Sequence, residues 1–267
     1  MVETTNTTNT NPWLPWPSTK PQARLRLFCF PYAGGGASVF RSWSRDLPPE
    51  IDVRPVQLPG RERRLMEDPY DDLTPLVTAV EGALLPFLTE PFAFFGHCLG
   101  ALIAFELSRQ IRTLHGLQPT ALFVSGHRAP HLPDRFSPAH QLPDPEFAAE
   151  LRRRNGTREE VLQNPDLMRL VLPLLRADFT ICETYLFTPR GTLGCPITAF
   201  GGVGDPAVLP EELDGWSEQT SGPCTVQVLP GDHFFLQTAR SLLLQKLSQD
   251  LTQVMSDIPG SGQSHDP

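Results

Sequence analysis

A chain of 267 residues, 40% hydrophobic and 19% charged, has the size and composition of an ordinary soluble protein, here read as a single large α/β domain. Its formal charge of -8 repels phosphate backbones and anionic lipid, which removes nucleic acid and membrane surfaces as main partners. No run reaches the roughly 18 uninterrupted apolar residues a bilayer span needs, and MVETTNTTNT lacks both regions of an export signal, so a cytoplasmic protein is expected.

In chain order, residues 1–22 are rich in Thr, Asn and Pro without apolar periodicity and predict a disordered arm, with Trp13 and Trp16 the residues able to dock it. The domain then spans 23–258, and residues 259–267 predict a disordered tail. Six short apolar runs end in turn residues: LRLFCFPY (25–32), VRPVQLPG (53–60), FAFFGHC (92–98), ALFVSGH (121–127), CPITAFGG (195–202) and TVQVLPG (225–231). Each predicts a buried strand. Helical patterns separate several of them, at LTPLVTAVEGALLPFL, LGALIAFELSRQIRTL and ARSLLLQKLSQDLTQVM. That alternation implies a mainly parallel central sheet flanked by helices. Between about 130 and 190 the rhythm breaks into helical patterns with no strand. An insertion there falls over the carboxyl edge of the sheet, where open α/β sheets bind ligands, and predicts a helical lid.

GHCLG at 96–100 sits between a strand pattern and a helix pattern and has the G-x-nucleophile-x-G form of an elbow, in which glycines allow a turn too tight for side chains. Such a turn lifts the Cys98 thiol above the sheet and points the first N–H groups of the following helix at the same spot, a field that favours the thiolate. The alternative is a buried thiol without chemistry, one of five cysteines (Cys29, Cys98, Cys182, Cys195, Cys224) that have no CxxC pair and no metal-ligand spacing. A cysteine nucleophile needs a base and a group to orient the base, in the chain order nucleophile, acid, histidine. Asp205 follows one predicted strand and His233 the next, each in the expected loop. Asp232 is read as a cap for the following helix, and His97 as a packing residue facing away from the site. An oxyanion hole would use the backbone N–H groups of Leu99 and of Ala33, the latter in the PYAGGGAS loop after the first strand. That loop is no dinucleotide fingerprint, because Val39 stands where the last glycine of G-x-G-x-x-G belongs. No metal or cofactor is expected.

The blocks PYAGGGASVF, VQLPGRERR, FFGHCLGALIAFEL, LFVSGHRAPH, LPLLRADF, CPITAFGG with DP, and PGDHFFL, spanning roughly 25–238, resemble the type II thioesterases of polyketide synthase and nonribosomal peptide synthetase pathways. The resemblance implies an α/β-hydrolase fold, a helical lid over the acyl channel, and hydrolysis of thioesters on the phosphopantetheine arm of acyl- or peptidyl-carrier proteins. It assigns Cys98 as nucleophile, Asp205 as acid and His233 as base. The departure is the nucleophile itself, usually Ser in that family and Cys here.

An acyl-Cys intermediate is still a thioester and stays open to an amine or alcohol as well as to water. Hydrolysis is therefore the leading expectation, acyl transfer to another acceptor the alternative, and a non-catalytic carrier-binding module a third reading. A monomer is expected. Two basic stretches, GRERRLMED (60–68) and Arg152–Arg154, are candidates for meeting an acidic carrier protein or the phosphate of its arm. Phe136, Phe147, Leu174, Phe179 and Tyr185 are candidate channel residues, although their helical spacing equally suits a core.

Overall fold

The computed structural model describes residues 11–18, 20–154, 157 and 159–257. Six strands form one sheet: β1 (Leu25–Phe30), β2 (Ile51–Pro55), β3 (Phe92–His97), β4 (Leu122–Ser125), β5 (Ile197–Gly202) and β6 (Cys224–Leu229). Their order is β2-β1-β3-β4-β5-β6, and every neighbouring pair is parallel. All six expected strands are present. The helices are α1 (Trp43–Asp46), α2 (Leu73–Leu84), α3 (Leu99–His115), α4 (Asp144–Arg153), α5 (Glu159–Leu162), α6 (Pro165–Thr184), α7 (Pro210–Leu213), α8 (Phe235–Thr238) and α9 (Arg240–Ser256). This is the α/β-hydrolase arrangement.

The alternation of side chains along a strand divides the core into two layers. Phe28, Phe30 and Phe94 face α2 and α3, whereas Leu27, Phe95 and Phe123 face Trp43 and the Leu243, Leu247, Leu251 stripe of α9. Helix ends follow local chemistry: the Asp72 carboxylate accepts from Thr74 N–H at the start of α2, and Gly116 closes α3 in the left-handed conformation after Arg112 and His115. The segment between β4 and β5 holds α4, α5 and α6 and no strand among the described residues. It has its own apolar cluster around Phe147, Leu151, Leu162 and Leu175.

The expected disordered arm needs correction over residues 11–18. Trp13 and Leu14 are buried, the Trp13 carbonyl accepts from Gln57 N–H at 2.8 Å, and Asn11 Nδ2 donates to Ala83 O at 2.8 Å. The Arg64 guanidinium stands 4.3 Å from the Trp13 ring centre, a cation–π contact worth about 0.5–2 kcal/mol. Composition missed this because one aromatic ring with a cationic partner elsewhere in the chain can anchor an otherwise featureless segment. Residues 1–10 and the expected tail over 259–267 lie outside the described residues. Among the described residues no helix is long and apolar enough to cross a membrane.

Candidate active site

The elbow forms because its glycines permit contacts no other residue could make. A Cβ on Gly96 would stand 2.0 Å from Gly100 O, and one on Gly100 would stand 2.1 Å from Phe30 O. Cys98 occupies the turn with φ 54° and ψ -117°, a conformation rarely open to a non-glycine residue. It is held there by its N–H on Ser125 O at 2.8 Å and its carbonyl on Ala101 N–H at 2.9 Å. The thiol is partly exposed, in contrast to the fully enclosed Cys29.

Asp205 and His233 meet through the loops after neighbouring strands. The loops after β5 and β6 are stitched together by Val203 N–H to Leu229 O and Gly204 N–H to Gly231 O, both 2.9 Å. Asp205 Oδ1 accepts from Ala207 N–H at 2.8 Å, leaving Oδ2 to accept from His233 Nδ1 at 2.8 Å. Both side chains are buried. With Nδ1–H donated to the carboxylate, Nε2 is the nitrogen left to face the Cys98 side chain, which lines the same cavity. Burial pulls the imidazole pKa down, but the negative charge on Cys98 and the hydrogen bonds with Asp205 and Cys98 outweigh it and raise the value from 6.5 to about 10. These influences favour the protonated imidazole.

His97 does more than pack. It is completely buried, with Nε2 2.9 Å from His233 O and Nδ1 2.8 Å from Ser125 Oγ. A carbonyl can only accept, so Nε2 carries the proton and Nδ1 accepts from the serine hydroxyl. Burial, followed by the charge of His233, pushes its pKa well below the usual histidine value and keeps it neutral. Asp232 does not cap α8, whose N-cap is Phe234 with no side-chain cap; its Oδ1 accepts from Phe234 N–H at 2.8 Å and closes the turn before the helix.

A cavity of about 100 Å³ covers the sulfur, lined by Ala33, Cys98 and His233 from the body and by Phe136, Phe179 and Cys182 from the insertion. Among the described residues, neither the Ala33 nor the Leu99 N–H is taken up by another protein group. Phe136 and Phe179, two of the channel candidates, thus line the cavity. Phe147 lies in the lid's own cluster, Leu174 is buried, and Tyr185 faces a separate hollow of about 460 Å³ alongside Glu106 and Arg109.

The two basic stretches are exposed only in part: Arg63, Arg152 and Arg153 are exposed, whereas Arg61, Arg64 and Arg154 are buried. Arg154 is 8% exposed and binds Glu183 at 2.7 Å and Glu150 at 3.2 Å, so it belongs to the inside of the lid. Arg61 and Arg64 are also buried. Arg61 forms two 2.9 Å hydrogen bonds with the Asp178 carboxylate of α6, a pair the sequence reading missed. The signal was an acid on the apolar face of a helix, at the spacing Leu174, Leu175, Asp178, Ile181.

Residues 25–251 match the model of the thioesterase domain, and the chain belongs to that family of thioester hydrolases. It is 45% identical over 246 residues to the gramicidin S biosynthesis protein GrsT of Aneurinibacillus migulanus, covering 92% of this chain and 96% of that one. It is 44% identical over 253 residues to a protein of Brevibacillus parabrevis named linear gramicidin dehydrogenase LgrE, covering 94% and 96%. The type II thioesterase BorB from the borrelidin biosynthetic cluster superposes with a TM-score of 0.79 at 39% identity, covering 86% of this chain and 94% of that structure. The type II thioesterase resemblance read from the sequence blocks therefore extends to nearly the whole chain.

Proposed function

We propose that this enzyme clears acyl groups from the phosphopantetheine arms of acyl- or peptidyl-carrier proteins in a polyketide or nonribosomal peptide pathway, acting as a cytoplasmic monomer without metal or cofactor. The observation that carries the reading is the 2.8 Å Asp205–His233 hydrogen bond in a cavity that His233 shares with Cys98, which sits at a strained elbow. The Cys98 thiolate attacks the thioester carbonyl carbon, and the N–H groups of Leu99 and Ala33 hold the resulting oxyanion. Collapse breaks the bond to the pantetheine sulfur, which leaves with the proton of the His233 imidazolium. Water then adds to acyl-Cys98 while neutral His233 takes its proton. The acid departs and the proton returns to the pair.

Acyl transfer is the second reading, favoured by the sulfur itself: acyl-Cys98 retains thioester energy that an amine could use. The relay counts against a non-catalytic binding module, which has no need of three groups in working order. Oxidoreductase chemistry, suggested by one relative's name, is opposed by Val39 in the glycine loop. The test is a time course of intact mass after mixing the enzyme with an acyl-loaded carrier protein. A transient adduct on Cys98 that ends as free acid and deacylated carrier is expected, and Cys98→Ala abolishes it. An adduct that persists in water and leaves only when an amine is added would establish transfer instead.

A further inference from the structure

The Ala33–Ser38 loop follows β1 but is held in place largely by side chains from elsewhere. Gln57 Oε1 accepts from Ala37 N–H at 3.1 Å, and the Glu62 carboxylate accepts from the Ser38 N–H and hydroxyl. One brace comes from the lid: Asp178 Oδ2 accepts from Gly34 N–H at 2.7 Å. That carboxylate is almost wholly enclosed, as is its partner Arg61, which also donates to Gly35 O at 3.2 Å and Pro59 O at 3.1 Å. Arg61 and Asp178 together grip both sides of the glycine turn.

Gly34 has φ +76°, and a Cβ there would stand 2.6 Å from Leu175 Cδ2, so α6 packs directly against the turn. The peptide between Ala33 and Gly34 is planar. The Ala33 N–H belongs to the preceding peptide, whose Tyr32 carbonyl accepts from Gly35 N–H at 2.8 Å, so holding the Gly34 N–H anchors the peptide between these two and, with that bond, sets the turn that aims the Ala33 N–H. Taking the Ala33 oxyanion role from the proposed function, we propose that Asp178 of the lid helix is a positioning residue that aims the oxyanion donor of Ala33.

Its place in α6 makes the lid a partner in catalysis. Pro173 lies inside the helix and removes one backbone hydrogen bond there. Before it, Leu167 and Leu170 are exposed; after it, Leu174, Leu175, Asp178 and Ile181 are buried. The half of α6 after Pro173 is thus the half that packs on the body and holds the glycine turn. A preorganised donor is effective only if it does not have to be oriented during the reaction.

The experiment compares two double variants, neither of which leaves a buried charge unpaired. Arg61→Met with Asp178→Asn keeps an acceptor for Gly34 N–H; Arg61→Met with Asp178→Leu deletes it. Both are assayed on an acyl N-acetylcysteamine thioester. Both are also titrated with the matching trifluoromethyl ketone, whose carbonyl carbon takes the Cys98 sulfur and whose oxygen becomes an oxyanion, and with a thioether analogue as ground-state control. The leucine pair is expected to lose about 10- to 100-fold in kcat relative to the asparagine pair, since misaiming one donor should cost less than the 100- to 1,000-fold seen on deleting one. KM and thioether affinity should change less than twofold, while ketone affinity falls in step with kcat.

Asp178→Glu, which keeps the charge beside Arg61 but moves the acceptor by one methylene, supplies the same comparison should the leucine pair not fold. Equal kcat and ketone affinity in the variants being compared, or a loss of kcat that merely follows the fraction of titratable Cys98, overturns the assignment. The ketone reports on the loop even if carrier-bound thioesters prove not to be the substrate, so the two proposals fail separately.

Discussion

Removing the sulfur should lower the His233 pKa. In the native protein burial lowers its pKa, and the Cys98 charge heads the influences that raise it to about 10. Cys98→Ala removes that charge and one hydrogen bond, leaving Asp205 alone against burial. Two opposite charges about 4 Å apart interact by roughly 4 kcal/mol at an effective dielectric of 20. At about 1.4 kcal/mol per pKa unit, that moves the midpoint down by roughly three units, to near 7. The assay is a pH titration of imidazole nitrogen shifts in protein labelled at its seven histidines, with the His233 signal assigned by substitution. His97, pushed well below the usual range by burial, serves as a neutral internal reference. A His233 midpoint that stays above about 9 in Cys98→Ala would refute the ion pair as the cause of the raised value.

His97 itself should impose an acid limit on stability. Its folded pKa is depressed, so below about 6.5 the unfolded chain takes up a proton the native state refuses, and stability falls by up to about 1.4 kcal/mol per pH unit. Urea unfolding at pH 7.5 and pH 5 should show a loss about 2 kcal/mol larger in the native protein than in His97→Gln; equal losses would assign the acid limb elsewhere. Gly100→Ala places a Cβ 2.1 Å from Phe30 O, and is expected to yield little folded protein or a melting temperature at least 10 °C lower by circular dichroism. Asp205→Asn should lower kcat by about 1,000- to 10,000-fold, with Cys98 still alkylated by iodoacetamide, because the imidazole loses the partner that fixes its tautomer. Cys98→Ser should lower the share of acyl product captured by added glycinamide, measured by mass spectrometry, because an acyl-Ser ester is less activated than an acyl-Cys thioester.

What was legible in the sequence was local. Each strand announces itself by an apolar run and a turn, and GHCLG is readable because the glycines, the preceding strand and the following helix all belong to one short stretch. Asp205 and His233 were legible because a parallel sheet brings the loops after neighbouring strands to one edge. What was hidden depends on partners far apart in the chain. GRERRLMED looks like a basic surface, but Arg61 meets Asp178 117 positions away and Arg64 covers Trp13 in the arm. His97 could be assigned to packing, but not to the His233 carbonyl 136 positions away. A charge on the buried face of α6 is the trace that such a partnership leaves, and it identifies the residue without naming its partner.

On the proposed function, a cysteine nucleophile leaves the direction of the reaction to the water step. Transfer of an acyl group from the pantetheine sulfur to Cys98 would exchange one thioester for another, so that step would supply little driving force and could run backwards. Among the influences that raise the His233 pKa to about 10, the charge on Cys98 comes first. Acylation would remove that charge and leave Asp205 to offset burial, bringing the midpoint down toward 7, so that one side chain would serve as acid to the leaving thiol and as base to the water.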